Sequence, residues 1–260
     1  MKPTIDPSDP KRPIIALDFP SKTATLRFLK KFPQDEHLFV KVGMELYYSA
    51  GPVIVEQLIE QGHDVFLDLK LHDIPHTVER AMRVIAGLGV RYTDVHAAGG
   101  SDMMLAARTG LEDGTAAGQP VPKLLAITQL TSTSEQQMQS EQLVNATLNT
   151  SVSHYARLAQ KAWLAGVVCS AQEASMLAQI TGPEFLRVTP GIRLVAHQAG
   201  SDDQKRIMTP EAAAAQGSSQ LVVGRPITEA ADPVSVYHQI KQLWEEASHG
   251  LNKTSKKSNQ

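Results

Sequence analysis

Eight times along this chain a short β-branched or apolar run is followed by a longer segment with helical spacing. The runs are Ile14–Leu17, Leu38–Val42, Val65–Leu69, Tyr92–His96, Lys123–Thr128, Gly166–Cys169, Leu186–Thr189 and Leu221–Val223. Between and after them lie Ser21–Lys31, Pro52–Gln61, Pro75–Leu88, Asp102–Thr109, Val152–Ala165, Ala171–Ile180, Thr209–Ala215 and Pro233–Ala247. Ser21, Ser101, Ser170, Thr209 and Asp232 stand where helix N-caps are expected. Strict alternation calls for helical crossovers and therefore a parallel sheet. Eight such units predict a single-domain α/β chain closed into a (β/α)8 TIM barrel. No Gly-x-Gly-x-x-Gly follows the first strand, which weakens an open dinucleotide-binding sheet.

A chain of 260 residues with 42% apolar content suits one barrel with a substantial core. Acidic residues outnumber basic ones by 27 to 25, so no nucleic-acid-binding surface is indicated. The lone cysteine, Cys169, excludes an internal disulfide and a cysteine-based zinc site, and fits a cytoplasmic protein. No segment approaches a membrane span, and the proline-rich, charged start has no signal-peptide core. Residues 1–12 read as a disordered N-terminal extension, 13–248 as the barrel, and 249–260 as a polar, basic tail.

Chemistry in such barrels sits at the C-terminal ends of the strands. Those ends carry Asp18, Lys41, Asp68 with Lys70, His96, Thr131 with Ser132, Arg193, and Gly224 with Arg225. In a strand, side chains two apart share a face, so Asp68 and Lys70 should project the same way. Desolvated charges of this kind must pair, and they mark functional sites more often than cores. Thr189-Pro190-Gly191-Ile192-Arg193 and Val223-Gly224-Arg225-Pro226-Ile227 follow strands seven and eight, where barrels often cradle a phosphate. Arginine supplies a planar fork for its oxygens. The long polar stretch Thr131–Thr150 suggests a mobile lid.

Other residues carry less weight. His96 reads as a packed, hydrogen-bonded histidine rather than a base. His63, His72 and His76 lack ligand spacing, so no metal site is expected. Cys169 reads as a small buried hydrophobe, and Trp163 and Trp244 as outer-layer packing on helix faces.

From Pro13 to about Glu246 the chain resembles the orotidine 5′-phosphate decarboxylase family, bacterial type. The landmarks are Ala16-Leu17-Asp18, Lys41-Val42-Gly43, Asp68-Leu69-Lys70-Leu71-His72-Asp73-Ile74-Pro75 and Leu130-Thr131-Ser132. They continue with Val168 to Glu173, Thr189 to Arg193, Arg206-Ile207-Met208-Thr209-Pro210 and Val223-Gly224-Arg225-Pro226. Asp-x-Lys-x-x-Asp alone also occurs in related sugar-phosphate barrels; the joint order is what is specific.

The resemblance implies cofactor-independent decarboxylation of orotidine 5′-phosphate to uridine 5′-phosphate, with no metal. Lys41, Asp68, Lys70 and Asp73 match the family's charged network, and Lys70 the lysine that protonates pyrimidine C6. Asp68 would lie beside the departing carboxylate. Asp73 matches the member that crosses a homodimer interface into the neighbour's site, with Ile74 and Thr77 alongside. Asp18 and Lys41 would hold the ribose, and Thr131 and Ser132 the pyrimidine. Arg193, Gln204, Gly224 and Arg225 would hold the phosphate. Two alternatives remain at this point. One is a magnesium-dependent keto-sugar-phosphate decarboxylase or aldolase; the other is a non-catalytic nucleotide-phosphate sensor, which would be expected to lack one of the four network charges.

Overall fold

A computed structural model describes residues 12–194 and 206–257, with side chains described up to residue 248. Eight parallel strands close in sequence order into a barrel. They are β1 Ile14–Ala16, β2 Phe39–Gly43, β3 Asp64–Leu71, β4 Tyr92–His96, β5 Lys123–Ile127, β6 Gly166–Val168, β7 Leu186–Thr189 and β8 Gln220–Val223. Every expected strand is present, within a few residues at its ends.

Among the described residues an expected α-helix follows each strand, and three further short α-helices accompany these eight. In chain order the helices are α1 Lys22–Leu29, α2 Met44–Ala50, α3 Val53–Glu60, α4 Pro75–Gly87, α5 Gly100–Gly114, α6 Glu135–Glu141, α7 Leu148–Lys161, α8 Ala174–Thr181, α9 Pro210–Ala215, α10 Arg225–Thr228 and α11 Pro233–Lys257. Of these, α2, α6 and α10 were not anticipated. α2 follows β2 directly behind Gly43, with no side-chain cap to announce it. α6 lies inside the stretch read as a loop-like lid: Ser134 Oγ accepts from Gln137 N at 3.2 Å and starts the helix despite its polar composition. α11 runs on past Ala247, the expected end of the last helix, to Lys257.

Caps formed at Ser21, Ser170, Thr209 and Asp232. Ser101 does not cap, because α5 already begins at Gly100, whose φ of 85° makes the entry turn. Trp244 is buried against the barrel as expected. Trp163 is not on a helix face: it sits past the end of α7 at φ 61° and is half exposed.

The alternation along each strand divides the interior. Ile15, Val40, Leu67, Val95, Leu124 and Val167 point outward under the helices. Ile14, Phe39, Phe66, Tyr92, Leu125 and Leu186 fill the lower barrel lumen. Above this apolar plug the same inward rows continue with Lys41, Asp68 and Asp94. The plug thus forms a low-dielectric floor beneath charged residues. One strand departs from regular pleating. β3 advances from Leu67 to Leu71 while β4 advances only from Thr93 to Val95, so β3 bulges between them. Within the bulge Lys70 has φ 52°, a left-handed conformation that L side chains rarely adopt.

Candidate active site

Inward rows and strand-end loops together enclose a cavity of about 500 Å³ at the C-terminal mouth of the barrel. Its lining includes Asp18, Lys41, Asp68, Lys70, Thr131, Ser132, Arg193, Gly224 and Arg225. Nine of the expected site residues therefore meet in one place, as one barrel mouth requires. Asp73 and Ile74 do not join them. They line a separate open depression with His72, Pro75, Ala98 and Gly99, and Ile74 is 65% exposed. Thr77 is also exposed, on the first turn of α4. Gln204 lies outside the described residues.

The floor is a chain of alternating charges. Lys41 Nζ stands 3.1 Å from Asp18 Oδ1 and 3.3 Å from Asp68 Oδ2. Lys70 Nζ donates to Asp68 Oδ1. Burial disfavours the Asp68 carboxylate, but the Lys41 and Lys70 ammonium groups outweigh it and hold the pKa down to about 2. Burial likewise opposes the charge on Lys41, yet Asp68 and Asp18 raise its pKa above the ordinary amine value. Gly43 makes room for this ammonium, since a Cβ there would come within 3.1 Å of Lys41 Nζ. Asp68 and Lys70 do face the same way, but the bulge rather than simple alternation brings them together.

Because its folded pKa is depressed, Asp68 contributes stability above the ordinary carboxylate range and loses it as pH falls through about 2. Chemical denaturation between about pH 4 and pH 2 should therefore show a falling stability on the order of 2 kcal/mol from this group. Asp68→Asn should remove that slope while lowering stability at neutral pH.

Two devices shape the rim. Arg206, four residues before the start of α9, donates to Leu130 O at 2.8 Å and Thr131 O at 3.3 Å, and its guanidinium also pairs with buried Glu173. It thereby ties the loop after β5 to the loop after β6. Ile192 and Met208 form a bridge, with Arg193 N donating to Met208 O at 3.0 Å and Met208 N to Gly191 O at 3.1 Å. This bridge closes the base of the loop after β7 and holds Arg193, 7% exposed, at the cavity wall.

His96 is not among the residues that line the cavity. Its ring faces that of His72 at 5.7 Å, and burial, with help from His72 and Lys70, lowers its pKa. Cys169 is buried in the cavity wall, and burial, then Glu173, pushes its thiol pKa far up. Among the described residues no cluster of three or more His, Cys, Asp or Glu side chains could hold a metal ion, and no helix is long and apolar enough to cross a membrane.

The sequence reading missed Asp94, Gln129 and Arg206. Asp94 is an acid with no exposed surface, on the same inward row as Tyr92 and His96. An ionisable residue two places from a buried aromatic was a legible signal. Gln129 lines the cavity and donates to Ser151 Oγ and Gln142 Oε1, both at 3.2 Å. Arg206 was quoted only as part of a motif, and its contacts over long sequence separation carry no local signature.

Fold and mouth together define a single barrel whose C-terminal cavity rests on a floor of fixed, alternating charge and carries Arg193 and Arg225 in its wall. The chain belongs to the Orotidine 5′-phosphate decarboxylase / HUMPS family, whose model matches residues 11–240. It is 58% identical over 235 residues to an orotidine 5′-phosphate decarboxylase of Ligilactobacillus salivarius, covering 90% of this chain and 98% of that protein. Identity is 57% over 234 residues to the orotidine 5′-phosphate decarboxylase of Lysinibacillus sphaericus, with 90% and 98% covered. A crystal structure of orotidine 5′-phosphate decarboxylase from Lactobacillus acidophilus matches with a TM-score of 0.81 at 42% identity, covering 90% of this chain and 99% of that one.

Proposed function

We infer that this chain is a carbon–carbon lyase that decarboxylates orotidine 5′-phosphate to uridine 5′-phosphate and CO2, the last step of de novo UMP synthesis. The observation that carries this reading is Asp68 held between Lys41 and Lys70 at the cavity floor, in a chain of this family.

Cleavage of the bond from C6 to the carboxylate leaves an electron pair in an sp² orbital of C6, out of conjugation with the ring carbonyls. Stabilisation must then come from charge placed before the reaction begins. The Lys70 ammonium, anchored by Asp68, supplies that positive charge, and one of its protons passes to C6 after CO2 departs. Asp68 lies beside the departing carboxylate. Asp18 and Lys41 hold the ribose hydroxyls, and Thr131 and Ser132 address the pyrimidine. Arg193, Gln204, Gly224 and Arg225 receive the phosphate. That remote binding energy supports closure of the loops over the site, which excludes water.

The separate position of Asp73, Ile74 and Thr77 supports a homodimer in which this face completes the neighbour's site. We place the enzyme in the cytoplasm and the catalytic domain at residues 13–248.

Loss of orotidine 5′-phosphate absorbance on adding purified protein tests the reading, with and without a chelator. No decarboxylation would overturn it, and loss of activity with chelator would favour the magnesium-dependent alternative. Arg225→Ala should lower kcat/KM by about 10- to 100-fold, the worth of a charge-assisted phosphate contact, while the melting temperature stays near that of the unmodified protein. An unchanged rate with a lowered melting temperature would make Arg225 structural.

A further inference from the structure

The β3 bulge solves one problem and creates another. It lifts Lys70 so that its ammonium meets Asp68, but it also takes Lys70 N–H out of the β3–β4 ladder. A buried N–H without an acceptor is costly, and a left-handed lysine adds to that cost. Both demands converge on one side chain. Asp94 Oδ1, from the neighbouring strand, accepts from Lys70 N at 2.8 Å.

We propose that Asp94 is a positioning residue for the decarboxylation: its carboxyl group takes the place of the missing ladder carbonyl and holds the Lys70 backbone in the left-handed conformation that sets the ammonium on Asp68. This rests on the role given to Lys70 above.

The surroundings of Asp94 agree with a neutral carboxyl group. It has no exposed surface, and on its β5 side it stands opposite Leu125, which offers no counter-charge. Its Oδ2 accepts no hydrogen bond from any donor among the described residues. A hydrogen bond between the Asp94 and Asp68 carboxyl groups, which requires a proton on one of them, would give that oxygen a partner. Burial, then the charge of Asp68, pushes the Asp94 pKa well above the ordinary carboxylate range. Asp94 therefore accepts from the Lys70 backbone with one oxygen and donates to Asp68 with the other. It braces both partners of the reacting ion pair without placing a second negative charge beside the substrate carboxylate.

An asparagine can do the same, accepting with its carbonyl and donating with its amide; an alanine can do neither. Asp94→Ala should lower kcat by about 10- to 100-fold, as expected for a misplaced catalytic group, and change KM by less than about threefold, because the phosphate and ribose contacts are untouched. Asp94→Asn should recover most of the lost kcat. Amide hydrogen exchange at Lys70, followed by NMR, reads the contact without substrate: protection should persist in the asparagine variant and vanish in the alanine variant. A protected Lys70 amide or an unaltered kcat in a folded Asp94→Ala protein would overturn the proposal. Should the alanine variant fail to fold, an asparagine variant with an unprotected Lys70 amide, or with kcat down more than about tenfold, would overturn it equally. Failure of the unmodified protein to decarboxylate refutes the functional reading instead, while the exchange measurement still decides whether Asp94 holds the Lys70 backbone.

Discussion

Lys70→Ala and Lys70→Gly are both expected to lose at least about a thousandfold in kcat, with the glycine variant the more stable of the two by about 1 kcal/mol. The activity loss combines two effects of one side chain: the cation facing the developing C6 charge, and the proton that quenches it. The stability difference comes from the backbone alone. At φ 52° lysine and alanine pay the same left-handed penalty, and glycine pays almost none. Asp68 keeps Lys41 at 3.3 Å in both variants, so neither leaves its carboxylate without a cation. Chemical denaturation and single-turnover decarboxylation, run side by side, separate the two quantities. A glycine variant less stable than the alanine variant would mean that the bulge is not strained at Lys70. A kcat within tenfold of the unmodified enzyme would remove Lys70 from the chemistry.

That contrast shows how stability and function divide at this site. The apolar lumen of Phe39, Phe66, Tyr92 and Leu125 carries the barrel and asks nothing unusual of the chain. The strand above it, from Leu67 to Leu71, gives up ladder hydrogen bonds and accepts a disfavoured φ to place one ammonium. Strain of this sort persists only where its surroundings over-determine it, and here Asp94 and Asp68 supply the two fixed points.

The barrel was legible because its signal is periodic and local: each strand is a compact apolar run, and each crossover helix repeats its apolar face. Asp18, Lys41, Asp68, Lys70, Thr131, Ser132, Arg193, Gly224 and Arg225 were legible for a related reason, since topology sends every strand end to the same mouth. Short helices were not. α2 lacks a capping side chain, and α6 is a brief polar helix whose cap at Ser134 sits inside a stretch with the composition of a loop. The β3 bulge was not legible either, because a register shift depends on the neighbouring strand. From the sequence, Asp68-Leu69-Lys70 reads as plain alternation. Arg206 acts across long sequence separations that no spacing rule reaches, whereas Asp94 had a legible place, two residues from buried Tyr92 on an inward row.

The proposed homodimer makes a sharper prediction than any single substitution. Lys70→Ala and Asp73→Ala proteins should each be nearly inactive alone, yet a mixture allowed to exchange subunits should regain activity. In a mixed dimer, the site on the Asp73→Ala subunit keeps its own Lys70 and receives an intact Asp73 from its partner. The other site lacks both. Random exchange makes about half of the dimers mixed, each with one complete site, so activity should approach about a quarter of that of the unmodified enzyme. If Asp73 served its own subunit, every site in the mixture would lack one of the two residues and nothing would return. The position of Asp73 in a depression apart from the mouth, beside a largely exposed Ile74, favours recovery. A short denaturation and refolding step before the assay ensures exchange, and size-exclusion chromatography with light scattering establishes that the refolded species is a dimer. Full exchange without regained activity would assign Asp73 to its own subunit or remove it from the reaction.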